Sequence, residues 1–303
     1  MKIIGTPISR PDADAKVSGE TIYAFDYDEP GSLVGKILRS TVPSGRIVLL
    51  DIAKAKEIPG VRAVLTAADM PPVLGGQIIR DTPMFASSVV RYAGEPIAAV
   101  AADSRDAALR ALDAIIVEIE PTRSACTIDE AIADGAPLLH PGQKSYRMAS
   151  GGEGGDYPRY GNIAAETASV GSDADVEIEF ARAAHIVEDT YRTQRQYQAY
   201  IEPRNAVGVY RGGRYIAHTG SQWPDNVRAR ISQFLDVPLA KVRVMGHPYG
   251  GGFGGKLDYA VEPYAIALSR ACRGRPVKIL NTRYEDMLTA PCREATLIKF
   301  RSA

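Results

Sequence analysis

The sequence predicts an α+β fold in two successive parts. Over residues 16–124, short apolar stretches with a period of two alternate with helical patterns, and a second such series begins only after a long stretch without apolar periodicity. A chain of 303 residues also exceeds the size at which most single hydrophobic cores stop growing, about 250–300 residues. We therefore expect one unit at residues 1–140 and another at 176–303, joined by a glycine-rich linker over 141–175.

The elements of the first unit follow from these patterns. A helix is expected at 52–60, where a proline and a glycine end it, and another at 104–115, with Asp103 or Ser104 as its N-cap. Apolar stretches around these helices predict strands at 32–40, 46–51, 61–70, 89–103 and 115–121. Such a mixture of strands and short helices is typical of an α+β unit.

The second unit is predicted to combine a hairpin with two helices. The hairpin covers 205–221 and turns at 211–214. The helix over 223–238 is amphipathic, because Arg228 and Arg230 lie away from an apolar face formed by Val227, Ile231, Phe234 and Leu235. Strands are expected at 185–193, 241–246 and 276–280, and a second helix at 261–274.

Composition excludes several classes of function. The chain has 36 basic and 36 acidic side chains, so it lacks the positive excess that attracts nucleic acid. No stretch approaches the roughly 18 apolar residues of a membrane span, and the N-terminus lacks the apolar core of a signal peptide. Three cysteines without a CxxC pair and four scattered histidines provide no metal site, so any metal must arrive on a carrier. We expect a cytoplasmic protein with reduced thiols.

A dense glycine segment, "GGGFGGK" at 250–256, is the main candidate site. It partly matches the dinucleotide fingerprint and the P-loop, but Leu257 replaces the hydroxyl that a P-loop needs for magnesium, and "HPY" separates the glycines from the preceding strand. Both patterns share one physical property: backbone without Cβ atoms passes close to a ligand, and amides at a following helix N-terminus point at its oxygens. A purely structural glycine turn is the alternative.

Together with "GSQWP" at 220–224, this segment resembles the molybdenum hydroxylase family, the molybdopterin-binding large subunits of xanthine dehydrogenase, aldehyde oxidoreductase and carbon monoxide dehydrogenase. "RPDADAKVSGETIYAFD" at 10–26 and "GVRAVLTAADMP" at 60–71 are similar to the family's entry segment and hammerhead domain, and "YIEPRNAVGVY" at 200–210 to the start of its cofactor domain. The resemblance implies an aldehyde oxidase/xanthine dehydrogenase a/b hammerhead domain followed by the first part of the molybdopterin-binding domain.

The resemblance also implies a cofactor site. Molybdenum is then held by the sulfurs of a pterin and not by protein side chains, with or without a cytosine nucleotide on the pterin. Gln222 is expected to offer its side-chain amide to an oxygen on the metal, and Phe253 and Leu257 to line the substrate pocket. The residues expected to bind the cofactor are Gln222, Gly251, Gly252, Phe253, Gly254 and Gly255.

Structural alternatives remain open for several of these residues. Gln222 could cap the helix that follows it, and Phe253 could be an ordinary core aromatic. Lys256 could bind an anionic part of the cofactor or face solvent. Two further possibilities concern acidic residues: Glu202 with Arg204 as a structural ion pair, and Glu95 in a turn, each in preference to catalysis.

The sequence departs from the family pattern twice. Purine oxidisers carry a glutamate where this chain has Leu257, so an aldehyde, an aromatic acyl thioester or a less polar N-heterocycle is a better substrate than xanthine. The family's catalytic glutamate lies in a C-terminal "GxGE" segment that this chain does not contain, so no catalytic residue is assigned. We expect either a subunit completed by a second chain carrying that glutamate or a shortened chain, with 2Fe–2S and FAD subunits as partners. A non-catalytic scaffold and a nucleotide-binding protein are the rival functions.

Overall fold

The computed structural model describes residues 4–142, 146–147, 160–167 and 176–303, so most of the predicted linker lies outside the described residues. The α-helices within these ranges are α1 (Ala13–Val17), α2 (Ala53–Glu57), α3 (Arg105–Ala114), α4 (Ile128–Ile132), α5 (Val176–Arg182), α6 (Pro224–Phe234), α7 (Glu262–Ala271) and α8 (Arg283–Thr289). None of these helices is long and apolar enough to cross a bilayer.

The strands of the described residues fall into one large sheet and three small ones. They are β1 (Leu33–Arg39), β2 (Gly45–Asp51), β3 (Val61–Thr66), β4 (Leu74–Gly75), β5 (Thr82–Pro83), β6 (Val89–Val90), β7 (Pro96–Ala102), β8 (Ile116–Pro121), β9 (Val187–Arg192), β10 (Asn205–Arg211), β11 (Arg214–Thr219), β12 (Val242–Gly246), β13 (Val277–Leu280) and β14 (Leu297–Ser302). The large sheet has the order β12-β11-β10-β13-β1-β7-β3, and the others pair β6-β2-β8, β14-β9 and β4-β5.

The large sheet takes strands from both predicted units. Its β1 pairs in parallel with β13, with Leu33 opposite Val277, and antiparallel with β7 on its other side. The two units therefore share backbone hydrogen bonds and are not separate sheets. The boundaries at 140 and 176 remain a prediction.

Strand β7 runs through the middle of the apolar core. All seven of its residues are buried, as expected of a strand covered on both faces. On one face Ala99 and Ala101 belong to the core formed with α6 and α7. On the other, Ala98 and Val100 pack against residues of α2 and α3. The sheet is thus held between two layers of helices, and the glycine segment leaves it after β12.

The strand predicted over 89–103 is interrupted by a turn, which separates β6 from β7. The Glu95 carboxylate closes this turn, because it accepts a hydrogen bond from the backbone N–H of Arg91 (2.5 Å) and another from the Arg91 guanidinium (3.3 Å). Burial raises the pKa of Glu95. The structural interpretation of this residue is confirmed.

Helix α6 has the apolar face that its sequence predicts: Val227, Ile231, Phe234 and Leu235 are all buried. Arg230, expected to lie away from this face, is buried as well. It donates to Asn226 (3.2 Å) and Gln233 (2.8 Å), and it lies 3.9 Å from the Asp258 carboxylate. Hydrogen bonds and a nearby negative charge make the buried guanidinium tolerable.

Candidate functional site

The glycine loop, residues 250–256, lies between β12 and α7 and does not run directly into a helix. Helix α7 begins only at Glu262, and the carboxylate of that residue accepts hydrogen bonds from the Ala260 N–H (2.6 Å) and the Thr219 hydroxyl (2.7 Å). Residues 257–261 therefore separate the glycine loop from α7. That amides at the start of this helix face a ligand stays a prediction.

Gln222 is bound to the glycine loop through its side-chain carbonyl. Its Oε1 accepts from the backbone N–H groups of Gly254 (3.1 Å) and Lys256 (3.2 Å), while its own backbone N–H donates to the Lys256 carbonyl (2.9 Å). Of the two ends of the Gln222 amide, only the oxygen can accept from backbone N–H groups. The NH2 group therefore points away from them. The N-cap of α6 is Trp223 and has no side-chain cap bond, so the interpretation of Gln222 as a helix cap is wrong.

Close packing explains why the loop lacks side chains. A Cβ at Gly252 would lie 2.5 Å from Gln222 Oε1, and one at Gly255 would lie 2.5 Å from a ring carbon of Tyr200. Both distances are shorter than real Cβ contacts, which keep at least about 3 Å. The loop can therefore approach Gln222 and Tyr200 only as glycine.

Phe253 points out of the loop. It is 75% exposed and has a positive φ of 50°, a backbone conformation that bulky residues rarely adopt. The interpretation as a core aromatic is therefore wrong. Leu257, Trp223 and Tyr249 are also exposed beside the loop, and together they give it an apolar rim of the kind that marks binding surfaces.

Lys256 takes neither of the two roles that the sequence leaves open. Its side chain is only 3% exposed, and its Nζ donates to Glu202 Oε2 (2.6 Å) and lies 4.8 Å from the centre of the Tyr200 ring. Burial lowers the pKa of this ammonium group, and the Glu202 carboxylate opposes that shift. The lysine is therefore held inside the protein and is not available to bind phosphates.

The expected ion pair between Glu202 and Arg204 is not formed, because each residue pairs with a different partner. Arg204 donates through Nε to Asp286 Oδ1 (2.8 Å) and through its terminal nitrogen to the Thr289 hydroxyl (2.9 Å). Burial alone would raise the pKa of Asp286, but the charge and hydrogen bonds of Arg204 lower it. The two neighbours in sequence thus belong to two different buried ion pairs.

Three N–H donors at the loop have no hydrogen-bond partner among the described residues: the backbone N–H groups of Gly252 and Phe253 and the side-chain NH2 of Gln222. Gly252 is buried, and buried backbone N–H groups without a partner are rare. Such donors match a ligand that presents oxygen atoms. Within residues 4–142, 146–147, 160–167 and 176–303, no three His, Cys, Asp or Glu side chains are grouped to hold a metal ion directly.

Two family models match the chain. The model of the aldehyde oxidase and xanthine dehydrogenase a/b hammerhead domain matches residues 18–123, and that of the molybdopterin cofactor-binding domain matches residues 158–303. A probable xanthine dehydrogenase subunit of Bacillus subtilis is 35% identical over 92% of this chain, and a nicotinate dehydrogenase large molybdopterin subunit of Eubacterium barkeri is 34% identical over 94%.

Solved structures show the same similarity. Quinoline 2-oxidoreductase from Pseudomonas putida is 28% identical with a TM-score of 0.81, and matches 99% of this chain and 37% of its own. CO dehydrogenase from Oligotropha carboxidovorans is 26% identical with a TM-score of 0.82, and matches 98% of this chain and 37% of its own. The chain belongs to the molybdenum hydroxylases and carries their hammerhead domain followed by part of their molybdopterin-binding domain. It spans 35% of the Bacillus relative and 63% of the Eubacterium relative.

Proposed function

We propose that this chain is the molybdopterin-binding part of a molybdenum hydroxylase, and that the glycine loop with Gln222 binds the molybdenum–molybdopterin cofactor. The observation that carries the proposal is the set of three unpartnered N–H donors at Gln222, Gly252 and Phe253. The residues we assign to the cofactor site are Gln222, Gly251, Gly252, Phe253, Gly254 and Gly255. When bound, the cofactor supplies the redox chemistry that hydroxylates a carbon with oxygen from water.

The chain's own contribution is to hold hydrogen-bond donors in fixed positions. The Gln222 carbonyl is already engaged by Gly254 and Lys256, so its NH2 is oriented before any ligand arrives. The ring of Phe253 is exposed beside these donors and is available to cover a bound ligand. No residue of this chain is assigned as the base that removes a proton. We propose that a glutamate on a second polypeptide, or on a longer form of this chain, has that role.

For the substrate we propose an aldehyde, an aromatic acyl thioester or an N-heterocycle of low polarity. Phe253 and Leu257 are the lining residues, and neither side chain forms hydrogen bonds with the polar edge of a purine. Each substrate polar atom left unpaired costs about 1–3 kcal/mol. The names of two relatives, nicotinate dehydrogenase and quinoline 2-oxidoreductase, support the N-heterocycle among these classes.

The proposal includes partners, because relatives of this chain are named as subunits and are longer. We assign 2Fe–2S and FAD subunits as the acceptors of electrons, and a pterin with or without a cytosine nucleotide. The free thiols of Cys126, Cys272 and Cys292 are consistent with a cytoplasmic location. We propose the domain limits 1–140 and 176–303 with a linker at 141–175; the two family models match residues 18–123 and 158–303.

The test is metal and pterin analysis of the chain purified from its host with its partners. We expect about one molybdenum and one pterin per chain. Intact complex without molybdenum would support the scaffold alternative. Retained ATP without molybdenum would support nucleotide binding, which the burial of Lys256 already disfavours.

Two variants separate the functions of the Gln222 amide. Gln222→Glu keeps an oxygen for the loop N–H groups but replaces the outward NH2 donor, so turnover should fall on the order of 100-fold with little loss of stability. Gln222→Ala should lower turnover as well and also loosen the loop. Gln196→Ala is the control, because this glutamine is exposed and its side chain donates to the Tyr197 carbonyl and not to the loop. Unchanged turnover of molybdenum-loaded Gln222→Glu would remove this residue from the site.

A further inference from the structure

One buried carboxylate holds both ends of the glycine loop. Glu202 Oε2 accepts from the Gly250 N–H (2.8 Å) and from Lys256 Nζ (2.6 Å), so the first and last residues of the loop meet at a single oxygen. The other oxygen, Oε1, accepts from the Phe25 N–H (2.9 Å), and the Glu202 N–H donates to the Gly250 carbonyl (3.1 Å). The carboxylate thereby joins the loop to the N-terminal segment.

Burial makes this arrangement energetically demanding. Glu202 is 7% exposed and Lys256 is 3% exposed, so neither charge is well solvated without the other. The donors left free for a ligand, at Gly252 and Phe253, lie between the two attached ends. A shift of either end would move these donors.

The attachments at the two ends of the loop are not equivalent. Gln222 binds Gly254 and Lys256, which are the C-terminal part of the loop. Gly250, at the N-terminal end, has Glu202 as its hydrogen-bond partner on both its N–H and its carbonyl. Loss of the carboxylate should therefore release the N-terminal half of the loop and leave the C-terminal half attached.

We infer that Glu202 is a positioning residue for the cofactor: through Gly250 and Lys256 it fixes where the N–H donors of Gly252 and Phe253 stand, without touching the ligand itself. The inference rests on the proposed function of the loop. A purely structural ion pair would contribute only to stability, and cofactor retention would then follow stability.

A double substitution separates the two roles. Glu202→Met with Lys256→Met replaces the buried ion pair by apolar side chains of similar size, a change that is often neutral for stability. It also removes the acceptor for Gly250 and Phe25. The single variant Glu202→Met leaves a buried ammonium without its counter-charge and is expected to be clearly less stable than the double variant.

The matched control is the other buried ion pair of this region, changed by Arg204→Met with Asp286→Leu. Its side chains are 6% and 0% exposed, close to the 3% and 6% of Lys256 and Glu202. It accepts no hydrogen bond from the glycine loop. Any difference between the two double variants therefore reports on the loop and not on loss of a buried pair.

Three measurements are made on the chain purified with its partners: molybdenum and pterin per chain, the urea midpoint, and hydrogen exchange of the loop amides. We expect the molybdenum content of the Glu202/Lys256 double variant to be about tenfold or more below that of the control. Mutation of residues that orient the ligands of a metal typically lowers its affinity about 10- to 100-fold. Exchange should increase at Gly250, whose N–H loses its acceptor, and at the adjacent Gly251, while the amides of Gly254 and residue 256 stay protected by Gln222.

Equal molybdenum retention in the two double variants would overturn the inference, as would unchanged exchange at Gly250 and Gly251. Wild-type complex without molybdenum or pterin would instead refute the proposed function. In that case the hydrogen-exchange measurement still decides whether Glu202 positions the loop.

Discussion

Substitution of Gly252 by alanine tests the contact between the glycine loop and Gln222. The added Cβ would lie 2.5 Å from Gln222 Oε1 and 2.6 Å from its amide carbon, so the glutamine side chain must move. It then loses two hydrogen bonds worth about 1 kcal/mol each, and the displaced atoms add an overpacking cost of about 1–3 kcal/mol. Alanine reduces the entropy of the unfolded chain, which offsets less than about 1 kcal/mol. We expect a net loss of about 2–4 kcal/mol.

Urea unfolding followed by circular dichroism measures this loss. Gly246→Ala is the matched control, because its added Cβ would meet only Pro224 at 3.6 Å, an ordinary contact, and the residue lies at the end of β12 close to the same loop. The reasoning is refuted if the free energies of unfolding of the Gly252→Ala and Gly246→Ala variants agree within about 0.5 kcal/mol, the range of ordinary surface substitutions. Molybdenum content of the Gly252→Ala variant should fall in parallel.

Three further predictions concern other parts of the chain. Burial lowers the pKa of His218 and of His247. As the pH falls, these histidines therefore take up protons in the unfolded state first, and the free energy of unfolding should decrease below about pH 6.5. Urea midpoints at several pH values measure this decrease, and a midpoint independent of pH would contradict it. Burial raises the pKa of the Cys272 thiol to about 11, whereas Cys126 is exposed. Iodoacetamide should therefore label Cys126 and spare Cys272 until urea unfolds the chain, and peptide mass spectrometry identifies the labelled residues. Asp286→Asn leaves a buried guanidinium unpaired and should lower the free energy of unfolding by about 3–5 kcal/mol; a loss below about 1 kcal/mol would count against the pair.

Local patterns in the sequence predicted the regular elements well. Ser104, one of two candidate caps, is the N-cap of α3 and accepts from the Ala107 N–H (3.2 Å). The hairpin of β10 and β11 turns where the glycines at 212 and 213 predict it, with Arg211 opposite Arg214. Each of these features depends on residues close together in the chain, which is why spacing alone predicts them.

Helix α8 and strand β14 were not predicted, although the sequence contains a signal for the helix. Thr282 and Glu285 form a capping box at the start of α8, a pattern of threonine followed three residues later by glutamate. Strand β14 pairs with β9, which lies far earlier in the chain. The pairing of Glu202 with Lys256, 54 residues apart, was missed for the same reason: no local pattern specifies which distant charges meet inside a fold.

The glycine loop shows that a dense glycine motif needs two separate explanations. Close contacts with Gln222, Tyr200 and Glu202 already require glycine at three positions, so those glycines would be needed even if nothing bound. Glycine content by itself is thus weak evidence for a ligand. The evidence for one comes from the features that internal packing does not use: the strained, exposed Phe253 and the free N–H donors beside it. A protein that needed only a tight turn would have no reason to hold a phenylalanine in solvent at positive φ, because that conformation is costly and the exposed ring buries no apolar surface until a partner covers it.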